Sequence, residues 1–307
     1  MPGDSATISA APVGGRPGRR KAAKYGLRGV ALGYLFALLI IPVTLIFFKA
    51  FEDGIAHAWQ SVTTPEAQHA FYLTIVLVLV AVPLNTIFGI ACALVLVRHN
   101  FRGKAILNGI IDLPFAVSPV VIGLSLVLVY GSVDGWFGPW LLEHGIRVIF
   151  SPVGMALATI FVSLPFVVRE VVPVLQEIGD EQEQAAATLG ARGWQTFWRI
   201  TLPSIRWGVT YGVVLATARA LGEFGAVAVV SGKISGRTET ATIFVENQYE
   251  HFNVSGSYAA ALVLALMALA TLFAMNLIQR KDRPAKSPTT LAAAADPATL
   301  TNTTKGT

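Results

Sequence analysis

The sequence is poor in charge. Aspartate, glutamate, lysine and arginine make up 13% of its 307 residues, against about 25% in an average soluble domain. Its apolar fraction is 54%. A core alone does not need that much, so lipid is the expected solvent. Cysteine is nearly absent. The single thiol, Cys92, excludes an intrachain disulfide framework. It sits in an apolar run, where free cysteine packs as a small hydrophobe. The five histidines are scattered, and no cluster has metal-ligand spacing. No G-x-x-x-x-G-K-[ST] phosphate loop occurs: Gly103-Lys104 is followed by Ala105, and Gly232-Lys233 by Ile234. A membrane-embedded enzyme would need a clustered Ser/His/Asp or metal set, and the apolar runs contain none.

What the chain does have is long apolar runs. A helix needs about 20 apolar residues to cross a bilayer. Six stretches qualify, at about 27–48, 70–97, 105–130, 152–173, 207–230 and 257–279. The expected fold class is an all-α membrane protein with six transmembrane helices in a 27–280 domain. Residues 1–26 are rich in Gly, Pro, Ser and Arg, and 281–307 in Pro and Thr, so both are expected to be disordered tails. The first run follows a basic stretch, as a signal peptide would. It is too long for an h-region, and no small-x-small cleavage site precedes Lys49, so it is read as a retained helix.

Six crossings put both tails on one side. Eighteen of the 23 lysines and arginines then share that side. They lie in the two tails, the 98–104 turn and the 169–206 region. Lys49, Arg147, Lys233 and Arg237 lie opposite, and Arg219 lies within a span. The positive-inside rule makes that side cytoplasmic. The asymmetry accounts for the net charge of +5 without nucleic acid. Tryptophans favour the headgroup zone. Trp59, Trp136 and Trp140 fall near outer ends of spans, and Trp194, Trp198 and Trp207 near inner ends.

The cytoplasmic insert, 174–206, is the most informative segment. Glu177, Asp180, Glu181 and Glu183 crowd the start of a short helix, where the helix dipole favours negative charge. Ala185, Ala186 and Ala187 give it a low-profile surface. Gly190 is a natural helix stop, and Gly193 adds a second flexible point. Trp194, Phe197, Trp198 and Ile200 form an apolar cluster at helical spacing, and Pro203 marks the start of the fifth span. Such an insert either lies on lipid headgroups or docks into a partner's groove.

The pattern resembles the EAA loop of binding-protein-dependent ABC importer permeases: Glu-Ala-Ala, three residues, Gly, nine residues, Ile-x-Leu-Pro. It is carried here by Gln184, Ala185, Ala186, Gly190, Ile200, Leu202 and Pro203. Gln184 replaces the family's glutamate. Glu183 is adjacent but turned by about 100° along a helix, so it is not a simple substitute. Three further stretches resemble the CysW-type permease of sulfate/thiosulfate importers: Asp112-Leu-Pro-Phe-Ala-Val-Ser-Pro-Val-Val-Ile-Gly123, Val168-Arg-Glu-Val-Val-Pro173, and Ala218-Arg-Ala-Leu-Gly-Glu-Phe-Gly-Ala-Val-Ala-Val-Val-Ser-Gly232. The likeness runs from about residue 30 to 280.

This resemblance implies a type I ABC importer permease fold in a multi-pass chain of the cell membrane, with both termini cytoplasmic. It implies a related CysT-type permease that completes the pore. Two ATPase subunits would grip the coupling loops and hold the ATP and Mg, so this chain carries no cofactor and breaks no covalent bond. An extracytoplasmic sulfate-binding protein would dock on the outer loops, 131–151 and 231–256. A molybdate or tungstate permease would use the same machinery. A secondary carrier driven by an ion gradient would show internal repeats with discontinuous helices, and no clear repeat occurs.

Charges within the spans mark a pathway or a buried pair. Arg219 and Glu223 share one face of the fifth span by their i,i+4 spacing. Either they neutralise each other, or they form a gate or anion contact. Gly222 and Gly225 flank them and permit close backbone approach. Asp112 lies about a third of the way into the third span, followed by Pro114 and Pro119. Prolines free backbone groups, tolerated at depth only against protein or a water-filled cavity. Ser118 and Ser125 are placed to satisfy the freed carbonyls. A kinked, pore-lining helix is expected there. Arg169 is expected to snorkel from the inner end of the fourth span.

Overall fold

The computed structural model describes residues 28–281, with side chains to Phe273. The expected tails lie outside it, apart from Lys281. Among the described residues there are helices and turns and no strands. The helices are α1 (Arg28–Ala50), α2 (Ile55–Thr63), α3 (Pro65–Arg98), α4 (Lys104–Ala116), α5 (Pro119–Tyr130), α6 (Gly138–Glu143), α7 (Pro152–Ile178), α8 (Glu181–Thr188), α9 (Gly193–Leu221), α10 (Gly225–Ser231), α11 (Ala241–Glu250) and α12 (Val254–Lys281). Helices α1, α3, α7 and α12 are each long and apolar enough to cross a membrane. The pairs α4–α5 and α9–α10 bring the number of spans to six if each counts as one.

Two compact units divide the chain. One comprises residues up to Tyr72 together with Ile234–Leu264, and the other Leu73–Lys233 with the chain beyond Ala265. In the first, alanines let helices approach: Ala50, Ala58 and Ala259 pack with Leu262, and Ala67, Ala70 and Ala260 pack around Phe244. The fully buried Glu239 accepts hydrogen bonds from Ser235 Oγ and Asn247 Nδ2, each at 2.9 Å.

The second unit is built on α7. Without a hydrophobic drive between helices in lipid, close packing of small residues has to hold spans together. Gly208 and Gly212, four apart on α9, lie against Glu170 and Val167 of α7: a Cβ at Gly212 would stand 2.8 Å from Val167 Cα. On the other side Gly89 of α3 faces the same valine, where a Cβ would come within 2.7 Å of Cγ1. Val82, Ala93, Val167, Val171, Leu175, Ile205, Ala216 and Ala220 form the core of this packing.

Two spans depart from the sequence expectation. The 105–130 stretch is broken, not merely kinked: α4 and α5 meet at 113°. Pro114 stays inside α4, whereas Val117 and Ser118 are both extended, with ψ of 137° and 136°. A residue before proline is pushed out of the helical region, and Pro119 then starts α5 with no N–H to satisfy. Neither serine satisfies a carbonyl freed by the prolines: Ser125 Oγ donates to Val121 O at 2.8 Å, one turn back within α5, and Ser118 makes no capping bond. The fifth span breaks at Gly222–Phe224, with a bend of 53° between α9 and α10. The two breaks meet. A Cβ on Gly225 would lie 3.1 Å from Pro119 Cβ, and one on Gly123 would lie 2.8 Å from Ala226 O.

Candidate functional site

The insert folds as a helix, a glycine turn and an aromatic helix start. Helix α8 ends at Thr188, and Gly190 follows with φ of +83°. Gly190 N donates to Ala187 O and Ala191 N to Ala186 O, both at 3.0 Å. These are the two bonds of a Schellman stop, which needs a left-handed residue at Gly190's position. Gly193 is not the second flexible point expected of it. It begins α9, where Arg192 N donates to Gln195 Oε1 at 2.9 Å. Trp194, Phe197 and Trp198 form a triangle with ring centroids 5.4 to 6.1 Å apart, Trp198 meeting the other two rings edge-on. Pro203 cannot donate to the carbonyl one turn back, and the wider π turn at Phe197–Thr201 precedes it. Leu202 packs on the α7 core, Ile200 is half-buried and Pro203 is exposed.

Only Ala186 of α8 is buried. Gln184, Ala185 and Gly190 are exposed. Leu189 is 89% exposed and Trp194 71%. Large apolar side chains this exposed on a polar segment suit an interaction surface. Leu189 was not singled out from the sequence, though it lies inside the motif.

Gln184 and Glu183 face different ways. Gln184 Nε2 donates to Asp180 Oδ2 at 2.8 Å on the exposed side. Glu183 turns inward to Arg98, the last residue of α3: Arg98 Nε donates to Oε2 at 2.9 Å and Nη2 to Oε1 at 3.2 Å. Sequence reasoning left Arg98 among the loop charges. A pair 85 residues apart leaves no local signal. Gln184→Glu would set a second carboxylate beside Asp180, an i,i+4 repulsion of about 0.2–0.5 kcal/mol. That internal cost is small, so Gln184→Glu should leave the fold and the membrane level of the protein unchanged.

Membrane charges are paired. Arg169 does not snorkel. Its Nε donates to Asp112 Oδ1 at 2.7 Å, a second nitrogen reaches Asp112 Oδ2, and Nη2 also donates to Asn108 Oδ1 at 3.0 Å. Asp112 is thus neutralised across α4 and α7. Arg219 Nη1 lies 2.5 Å from Glu223 Oε2. Glu223 does more than pair: its Oε1 accepts from Ala226 N at 2.9 Å, holding the first turn of α10. Pro119 packs beside this junction, Pro114 is buried within α4 and Ser118 is exposed at the break. The charged and helix-breaking residues expected on a path therefore cluster at two broken spans. Each of the two acids there is paired with an arginine.

Residues 85–283 match the family model described as binding-protein-dependent transport system inner membrane component. The sulfate transport system permease protein CysW of Synechocystis sp. is 52% identical over 84% of this chain and 93% of its own length. CysW of Escherichia coli is 47% identical over 83% and 88%. The E. coli CysT permease is 36% identical over 82% and 91%. Among solved structures, a bacterial ABC transporter involved in the import of the acidic polysaccharide alginate superposes with a TM-score of 0.74 at 17% identity, covering 87% of this chain and 98% of that one. That likeness carries the fold alone: a type I ABC importer permease. The chain is a multi-pass membrane protein and a transport component, not an enzyme. With relatives this similar along most of its length, it belongs to the binding-protein-dependent transport system inner membrane components, among the CysW-type permeases.

Proposed function

We propose that this chain is one permease subunit of an ATP-driven sulfate/thiosulfate importer of the cell membrane. It forms half of the pore with a CysT-type permease. Two ATPase subunits, which bind the ATP and Mg, dock on the 184–203 loop through Gln184, Ala185, Ala186, Gly190, Ile200, Leu202 and Pro203. A sulfate-binding protein delivers the anion to the outer loops. One solved relative in fold is a bacterial alginate ABC transporter in complex with an alginate pentasaccharide-bound periplasmic protein, which supports such a delivery step. Asp112, Pro114, Ser118, Pro119, Arg219 and Glu223 lie on or gate the path.

The single observation that carries this reading is the insert: a Schellman-stopped helix and an exposed aromatic face, in the family's spacing. Broken helices alone would also suit an ion-gradient carrier, but such a carrier has no use for a docking loop. A molybdate or tungstate permease keeps the same loop, so substrate must be read by uptake. In a strain lacking its own sulfate permease, this chain should restore uptake of radiolabelled sulfate. Thiosulfate should compete and molybdate should compete poorly. Stronger competition by molybdate than by thiosulfate would reassign the anion.

Orientation follows from the charge asymmetry. Reporters fused after residue 190 should behave as cytoplasmic, and those after residues 145 and 245 as external. An external reporter at 190 would invert the topology. A cytoplasmic one at 145 would make the bent α4–α5 pair a re-entrant loop.

A further inference from the structure

The family pattern says where a partner docks but not what makes the coupling helix move the membrane spans. Helix α8 has a weak apolar hold on the rest of the chain, since Ala186 is its one buried residue. It is flanked by turns at Gly179, with φ of +63°, and at Gly190. A helix so held would swing about its ends when pushed. Side-chain bonds centred on Glu183 prevent this, and Arg98 makes two of them. The Arg98 guanidinium sits where four elements converge. Beyond its two bonds to Glu183 of α8, Nη1 donates to Leu175 O at 3.2 Å and Nη2 to Gly179 O at 2.7 Å. Those two carbonyls belong to the last turn of α7 and the residue after it, where the helix dipole favours a cation. Glu183 Oε1 also accepts from Thr201 Oγ1 at 2.8 Å, and Thr201 is buried in the π turn of α9. The Arg98 and Glu183 side chains are 15% and 20% exposed, so solvent screens them little.

We propose that Arg98 is the positioning residue that ties the coupling helix to the spans, so that displacement of α8 is passed to α3 and α7 together, while Glu183 itself carries the link to α9. The proposal rests on the docking role of α8 given above. Arginine suits the task and lysine does not. A planar fork can serve a carboxylate bidentately and still reach carbonyls on its far side, whereas an ammonium is a point donor. Glu183 is then the carboxylate facing inward, one position before the residue that faces the partner.

The test is the number of sulfate ions moved per ATP hydrolysed, in proteoliposomes holding the assembled transporter with its binding protein. Arg98→Gln should leave ATP hydrolysis within about twofold of the parent and lower sulfate per ATP by about fivefold or more, the lower range of a coupling energy. Arg98→Lys should fall between. A residue needed only for folding would lower the yield of transporter but not this ratio. A parental ratio in Arg98→Gln would overturn the proposal, and if that variant does not assemble, a parental ratio in Arg98→Lys would do so. A second readout needs no substrate: amide hydrogen exchange over 181–188 in the assembled complex, which reports local opening. It should quicken in Arg98→Gln and in Arg98→Lys, and unchanged exchange in both would likewise overturn the tie. If the parent moves no sulfate with ATP while exchange still quickens in the variants, the substrate assignment fails and the tie stands.

Discussion

Gly190→Asp should leave this protein folded in the membrane and stop ATP-dependent uptake. The first half follows from local geometry. A Cβ added at Gly190 meets nothing within 4 Å. Aspartate is among the few side chains that visit the left-handed region, at about 1–2 kcal/mol. The Schellman bonds are backbone bonds and survive. The second half follows from position. Gly190 stands between Leu189 and Trp194, both largely exposed. A carboxylate buried there against a partner would be unpaired, and an uncompensated buried charge costs about 3–5 kcal/mol. At 1.4 kcal/mol per tenfold, association with the ATPase weakens by two orders of magnitude or more. Gly190→Asn, with the same tolerance for the conformation and no charge, should lose far less. Co-purification of the ATPase subunits and uptake should fall together in the aspartate variant. Normal uptake with ATPase subunits bound would mean the loop is not the dock.

The second large effect belongs to Glu223. Its side chain is 2% exposed, and its partners include Arg219 and the Ala226 amide. Glu223→Ala removes both and leaves Arg219 without its anion, at a cost of about 3–5 kcal/mol. That is a large part of the 5–15 kcal/mol that holds a typical protein together. Accumulation and thermal stability should drop sharply. Glu223→Gln keeps an oxygen for Ala226 N and should fall less. The reciprocal exchange, Arg219→Glu with Glu223→Arg, keeps the summed charge at zero, yet it should restore neither stability nor uptake. It would point a cation at the N–H groups opening α10 and leave them without an acceptor. Melting of the purified protein and sulfate uptake read the two effects separately. Full recovery of both in the exchange would reduce the site to an ion pair with no fixed direction.

The apolar runs and the Gly190 stop were legible because each is written in consecutive residues: long lipid-facing stretches, and a glycine after an alanine-rich turn. The i,i+4 pair at 219 and 223 was legible for the same reason. The breaks were not. Pro114 and Pro119 look alike in the sequence, but one stays inside a helix and the other begins a new one. The difference lies in the partner, since Gly225 and Gly123 let α10 close against α5 at the second proline. Arg98 with Glu183 and Arg169 with Asp112 join residues 85 and 57 positions apart. Each of these residues read alone as an ordinary boundary or membrane charge. Glu223's second role was hidden because a cap on α10 exists only once the span is known to break.

The most direct measurement is uptake by the complete transporter in sealed proteoliposomes, with ATP inside or outside the vesicle and the ion gradient set independently. Sulfate should accumulate only with ATP hydrolysis and binding protein present. Collapsing proton and sodium gradients should leave the rate unchanged. Accumulation driven by an imposed ion gradient without ATP would contradict this, and would turn the broken spans into the parts of a secondary carrier.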